Sequence, residues 1–291
     1  MTALDQFLLR AEALLARVEA VLPPAFPREP DWRRSTAFRW RRRAGGGASY
    51  LQPVLHASSI ALSDLHQVST QKQQIEQNTR QFVQGRPANN VLLTGARGTG
   101  KSSLIKACLN QFAGDGLRLI EVDKADLADL PDIVDLVAGR NERFIIFCDD
   151  LSFEEGESGY KALKVALDGS IATQSDNVLV YATSNRRHLM PERMSENTAY
   201  RHDGDGELHP GETSEEKIAL SERFGLWLSF YPFKQDDYLD ITAHWLAHFG
   251  CNAQQIEAAR ADALRWALAR GSRSGRVAWQ FAKDFAGKLP A

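Results

Sequence analysis

Near the end of its first hundred residues the chain reads Gly95-Ala96-Arg97-Gly98-Thr99-Gly100-Lys101-Ser102. This stretch fits the phosphate-loop pattern: a glycine, four residues, then Gly-Lys followed by Ser or Thr. Glycines at these positions let backbone N–H groups turn inward around a phosphate chain. The Lys101 ammonium then reaches the outer phosphates, and the Ser102 hydroxyl can ligate Mg²⁺. Just upstream, residues 91–94 form a short apolar run that reads as a strand. Just downstream, residues 103–112 read as a helix, beginning at Ser103, whose N-terminal dipole faces the same anion. An incidental glycine turn would not need that strand before it and that helix after it.

A second apolar run, Phe144-Ile145-Ile146-Phe147-Cys148, ends in Asp149-Asp150. Buried parallel strands present functional groups at their C-terminal ends. Asp149 there would hold Mg²⁺, directly or through water. Asp150 stands where a glutamate commonly polarises the attacking water, and reaches about one methylene less far. Glu154 and Glu155 follow as alternatives, and a helix-capping turn is the plain reading of such a pair of acids.

Further short runs rich in branched and aromatic residues occupy 117–122, 178–183 and 226–231, with helical segments between most of them. Residues 51–231 therefore read as an α/β domain, a parallel sheet covered by helices. Beyond Pro232 the character changes. Residues 236–249, 253–269 and 275–287 read as three helices of a small all-helical domain, 232–291. At the other end, Leu4, Leu8, Ala11, Leu15, Val18 and Leu22 repeat at steps of four and three, and Pro23-Pro24 stops the helix they imply. That helix is expected to dock on its own core, with a partner-binding helix as the alternative. Residues 23–50 complete an N-terminal segment, 1–50. They hold Arg28, Arg33, Arg34, Arg39, Arg41, Arg42 and Arg43 among Trp32, Phe38 and Trp40. Arginine with aromatics suits phosphates and stacked bases, an acidic protein surface, or stems packed over a core.

Composition bounds the rest. The 291 residues are 43% hydrophobic and 25% charged, enough for a sizeable core. Thirty-five basic and 37 acidic side chains give a formal charge of −2, which does not suggest a chain that binds nucleic acid along its whole length. Cys108, Cys148 and Cys251 lie far apart and build neither a disulfide framework nor a zinc site. No apolar run is long enough to span a bilayer, and Asp5, Glu12 and Glu19 interrupt any signal-peptide reading. A soluble cytoplasmic protein with no membrane partner is expected. Residues 190–216 form an acidic insert, read as a solvated loop.

Together these features resemble the AAA+ class of P-loop ATPases over roughly residues 60–287. That resemblance implies further roles. Asn185, after the strand at 178–183, matches the polar residue called sensor 1, which helps position water. Arg223, in Ser221-Glu222-Arg223-Phe224, looks like the arginine finger that completes a neighbouring subunit's site, a role that requires a homo-oligomer. In Gly271-Ser272-Arg273-Ser274-Gly275-Arg276, the sensor 2 arginine falls best on Arg276, with Arg273 second. His66, Gln67 and Val68 match a segment that packs against adenine.

A narrower resemblance is carried by Pro87-Ala88-Asn89-Asn90-Val91-Leu92-Leu93, the phosphate loop, Cys148-Asp149-Asp150-Leu151-Ser152-Phe153-Glu154 and Ser221-Glu222-Arg223-Phe224-Gly225. These are similar to a bacterial family catalogued as domain of unknown function 815. The resemblance implies ATP and Mg²⁺ as ligands, ATP hydrolysis, and work on an unidentified protein client. Asp150 in place of glutamate keeps open a nucleotide-gated scaffold with little turnover. The arginine-rich segment keeps open a nucleic-acid loader or remodeller.

Overall fold

A computed structural model describes residues 7–8, 10–15, 17, 30–42, 49–153, 158–168, 176–186, 189, 201–202, 208–209 and 220–289. Its main sheet has seven strands. These are β1 (Ala37–Arg41), β2 (Tyr50–Pro53), β3 (Val91–Gly95), β4 (Leu117–Glu121), β5 (Arg143–Cys148), β6 (Val178–Ser184) and, after the short β7 (Arg201–His202) and β8 (Leu208–His209), β9 (Leu226–Phe230). Their spatial order is β2-β1-β4-β5-β6-β3-β9. Every neighbouring pair is parallel except β1 with β2. The sheet is therefore mixed, with one antiparallel strand on an otherwise parallel array. β7 and β8 pair antiparallel as a separate ribbon within the acidic insert. The remainder of that insert, like Glu154 and Glu155, lies outside the described residues.

Both faces of the sheet are buried, which explains why the central strands read as continuous apolar runs. Side chains alternate between two cores. Val91, Leu93, Ile145, Phe147 and Tyr181 enter one; Leu92, Phe144, Ile146, Val180 and Ala182 enter the other. The first core is covered by α1 (Ser69–Val83) and α2 (Lys101–Phe112), through Ile75, Phe82, Leu104 and Cys108. The second is covered by α3 (Leu130–Val137) and α4 (Ser158–Asp168), through Ile133, Val137, Leu163 and Leu167. The lid contains α5 (Gln235–His248), α6 (Ala253–Ala269) and α7 (Gly275–Gly287). Its buried Tyr238, Ala259, Ala263 and Phe281 continue the first core. Alanines at 259, 263 and 267 recur every four residues along α6, so small side chains let the lid helices close together.

The N-terminal expectations need correction. Residues 37–41 and 50–53 are strands of the main sheet, so the boundary at 50 cuts through it. The reason is period-two alternation. Phe38 and Trp40 are buried at 0% and 2% exposure, while Arg39 and Arg41 point outward. Arg39 meets Glu121 at 2.7 Å, Arg41 meets Asp123 at 3.3 Å, and Arg42 meets Asp126 at 3.1 Å and Asp129 at 2.6 Å. Its hydrogen bonds from Arg42 pull the Asp129 carboxyl below its ordinary pKa. Trp32 packs edge-on against Phe38 and Phe144, and the Trp40 indole donates to Asp129 at 2.8 Å. The aromatics are core residues and cannot stack on bases, and these three arginines already face acids. Residues 7–8, 10–15 and 17 are helical as expected, but Leu8 and Leu15 are 52% and 61% exposed. Among the described residues, these leucines do not dock on the chain's own core.

All three cysteines are buried and free. Burial pushes the Cys108 and Cys148 thiols up to about 12. A thiol-reactive disulfide reagent at neutral pH is expected to leave the folded protein unlabelled and to modify all three cysteines in denaturant. Rapid modification of Cys108 or Cys148 in the folded chain would contradict the packing of the sheet faces.

Candidate active site

Strand order gathers the chemistry at one edge of the sheet. β6 lies between β3 and β5, so the turn after β6 stands between the glycine loop and the paired acids. The lid closes over that edge. Between them is a cleft of about 790 Å³, outside the C-terminal ends of the strands.

The glycine loop is held from both sides. Gly95 has φ +121°, and a Cβ there would overlap the Phe230 carbonyl at the end of β9. That carbonyl accepts the Ala96 N–H at 3.1 Å. Gly98 has φ +73°, and a Cβ there would come within 2.7 Å of the Ser274 Cβ on the lid. Gly275 N–H donates to the Gly98 carbonyl at 2.8 Å, joining lid and loop directly. Gly100 caps α2 without a side-chain acceptor. The first-turn N–H groups of that helix thus have no side-chain cap and face the cleft, which suits an anion.

Lys101 is buried at 6% exposure. Its Nζ donates to the Gly95 and Ala96 carbonyls at 2.8 Å each and to Asn185 Oδ1 at 3.1 Å. Burial lowers its pKa, while Asp150 and Asp149 oppose that shift. Asp149 Oδ1 accepts from Ser102 Oγ and from Thr183 Oγ1, both at 2.6 Å. Thr183 Oγ1 in turn accepts the Asp150 N–H at 2.9 Å, so one buried hydroxyl fixes both acids. Asp150 has φ +52°, a left-handed conformation that aspartate tolerates better than most residues. Its Oδ1 accepts from Asn185 Nδ2. Asn185 therefore bridges the lysine cation and the second carboxylate. On the lid side, Ser274 Oγ caps α7 by accepting Val277 N–H at 3.3 Å, and Arg276 in the first turn lines the cleft.

The family described as "Protein of unknown function (DUF815)" matches residues 33–289. The chain belongs to that family. No curated protein sequence matches it significantly. Among solved structures, the RuvB Holliday junction branch migration motor of Thermotoga maritima is 13% identical with a TM-score of 0.51, covering 77% of this chain and 63% of its own. A variant of the same RuvB, 14% identical, gives the same TM-score of 0.51 and the same coverage of 77% and 63%. The chain thus spans less than two thirds of the RuvB length, and the likeness concerns the fold. An α/β domain with this sheet and a helical lid is the AAA+ fold.

Within this DUF815 chain the expected residues divide clearly. Arg97, Gly98, Thr99, Gly100, Lys101, Ser102, Ser103, Asp149, Asp150, Asn185, Arg276 and His66 all line the cleft. Gly95 and Ala96 lie behind it and hold Lys101. Gln67 and Val68 do not reach it. Gln67 Nε2 donates to Asp240 of the lid at 3.1 Å, and Val68 is 5% exposed in the core. Beside them the His66 and His244 rings stand 4.2 Å apart, and burial, together with His244 and Lys72, lowers the His66 pKa. Arg223 is outside the cleft, and its Nε meets Asp168 at 2.6 Å.

Thr183 and the apolar wall formed by Phe233, Ile241, Trp245 and Trp279 also line the cleft, and none was expected there. A polar residue closing an apolar strand was a signal for Thr183. For Trp279 the signal was its spacing, three residues past Arg276 on one helix face.

Proposed function

We propose that the protein binds ATP with Mg²⁺ in this cleft and hydrolyses it to ADP and phosphate. The observation that carries the reading is the meeting of Ser102 Oγ and Asp149 Oδ1 at 2.6 Å beside the buried Lys101. A hydroxyl and a carboxylate are hard oxygen donors, the set Mg²⁺ takes when it is also shared with phosphates. Ser102 and Asp149 would hold the ion, which supplies charge against the phosphoryl oxygens. The loop N–H groups and Lys101 hold the phosphate chain. Trp245, Trp279, Phe233 and Ile241 offer apolar surface for the base.

Water attacks the terminal phosphorus, the bond to the bridging oxygen breaks, and the water's proton passes to Asp150. Asn185 orients Asp150 and helps place the water. Arg276 approaches the transferred phosphoryl from the lid, so lid position follows nucleotide state. Arg223 completes a neighbouring subunit's site in a homo-oligomer. The cycle works on a protein client in the cytoplasm. A nucleic-acid client loses part of its support, since Arg39, Arg41 and Arg42 pair with acids and the aromatics are buried.

The Asn185–Asp150 hydrogen bond favours a second reading, a nucleotide-gated scaffold, because it occupies the carboxylate that would accept the proton. Turnover separates the two.

Calorimetry tests the metal assignment. Added Mg²⁺ is expected to strengthen ATP binding in the wild type and to have little effect in Asp149→Asn. Equal enhancement in both proteins would refute the role of Asp149. Gly98→Ala tests the lid. Its Cβ would strike Ser274, and its φ is unfavourable to alanine. ATP affinity is expected to fall at least about tenfold with the fold intact. Unchanged affinity would mean that lid and loop need not touch.

A further inference from the structure

Residues 7–8, 10–15 and 17 of the N-terminal helix are mostly exposed. Phe7, Leu8, Leu14 and Leu15 are exposed at 68%, 52%, 57% and 61%. Arg10, Glu12 and Arg17 are exposed on the same helix. On a heptad wheel, Leu8 and Leu15 take one position, Ala11 a second, and Phe7 and Leu14 a third. These three positions are contiguous and form a single apolar stripe. The sequence continues it at Leu4, Val18, Val21 and Leu22.

The stripe has unlike edges. Arg10 and Arg17 repeat at one heptad position along one side. Asp5, Glu12 and Glu19 repeat at one heptad position along the other. Two such helices packed in parallel bring the basic edge of each against the acidic edge of its partner. Packed antiparallel, they set acid against acid and arginine against arginine. Charge complementarity therefore selects both the occupant and its direction.

We propose that this helix is an oligomerisation element that packs in parallel against the same helix of a second copy of the chain. The helix needs a partner, because isolated helices of this length are marginal in water. Among the described residues the chain's own body does not cover the stripe, since Phe7, Leu8, Leu14 and Leu15 stand exposed. This surface is separate from Arg223 and requires no nucleotide, so it stands or falls independently of the ATPase reading.

The test is the mass of the full chain by sedimentation equilibrium, without nucleotide. The wild type is expected to rise above its single-chain 32.4 kDa with concentration. Leu8→Asp with Leu15→Asp is expected to weaken association at least about 100-fold, since each buried leucine is worth about tenfold. Arg10→Glu with Arg17→Glu preserves helix propensity and should also weaken it. Adding Glu12→Arg and Glu19→Arg to that chain reverses both edges and should restore association. At protein concentrations too low for association the thermal midpoint should stay close to that of the wild type, because Leu8, Arg10, Glu12, Leu15 and Arg17 are exposed. A wild type that remains 32.4 kDa at all concentrations overturns the proposal. So does a mass indifferent to the leucine changes, or a double reversal that fails to restore association.

Discussion

Lys101→Ala is expected to abolish both ATP binding at micromolar concentrations and hydrolysis, leaving a folded protein. The effect is electrostatic and geometric. Lys101 is the single cation among the described cleft residues that is buried against the loop itself, with Nζ held by two loop carbonyls and Asn185. Alanine removes the charge that balances the phosphates and leaves Asn185 Oδ1 without its donor. Burial already lowers the Lys101 pKa, so the folded apo chain bears a desolvation cost that the variant does not. The thermal midpoint of Lys101→Ala should therefore equal or exceed that of the wild type without nucleotide. Added ATP should stabilise only the wild type. If the variant is equally stabilised by ATP, the loop is not the phosphate site.

Arg223→Ala carries the second large effect. Its ATP affinity should match the wild type, because Arg223 does not line its own cleft. Turnover should fall by about 1,000-fold, the size of a missing arginine finger. The ion pair with Asp168 must open for the guanidinium to reach a neighbour. That pair is partly exposed, and such pairs are worth about 1 kcal/mol or less, so its opening is not a serious barrier. Mixing provides the decisive control. Lys101→Ala lacks a phosphate site but presents Arg223; Arg223→Ala has the site but no finger. Equal mixtures should recover part of the activity that neither has alone. Loss of turnover with no recovery on mixing would make Arg223 a structural partner of Asp168 and nothing more.

Much of this site was legible from residue order. The phosphate loop needed only its glycines, its lysine and the flanking strand and helix. Asp149 followed from a strand that ends in polar residues, because parallel strands buried on both faces concentrate chemistry at their C-terminal edge, while Asn185 was expected from the resemblance to AAA+ ATPases. The lid helices were legible from their apolar spacing and from Pro232 before them.

What escaped detection has physical reasons. In Ala37-Phe38-Arg39-Trp40-Arg41 the alternation is that of a half-buried strand, but the density of arginine draws the eye to phosphate chemistry. The acids that neutralise those arginines lie some 80 residues away, Glu121 and Asp123 both 82 positions on. Such long-range pairing has no local signature. The roles of Gln67 and Val68 were lost for a similar reason. Gln67 has φ +62°, and a single left-handed residue turns its side chain toward the lid and sends Val68 into the core. Trp245 and Trp279 come from different lid helices, and only the packing of α5 on α7 brings them to one wall.

Steady-state ATP hydrolysis measured against protein concentration distinguishes a site shared between subunits from one held by a single chain. A site built from one subunit's loop and another's arginine predicts specific activity that rises with concentration and then saturates, with none in Lys101→Ala. Activity that is independent of concentration would contradict the shared site. Tight ATP binding with turnover no faster than Lys101→Ala would contradict hydrolysis itself.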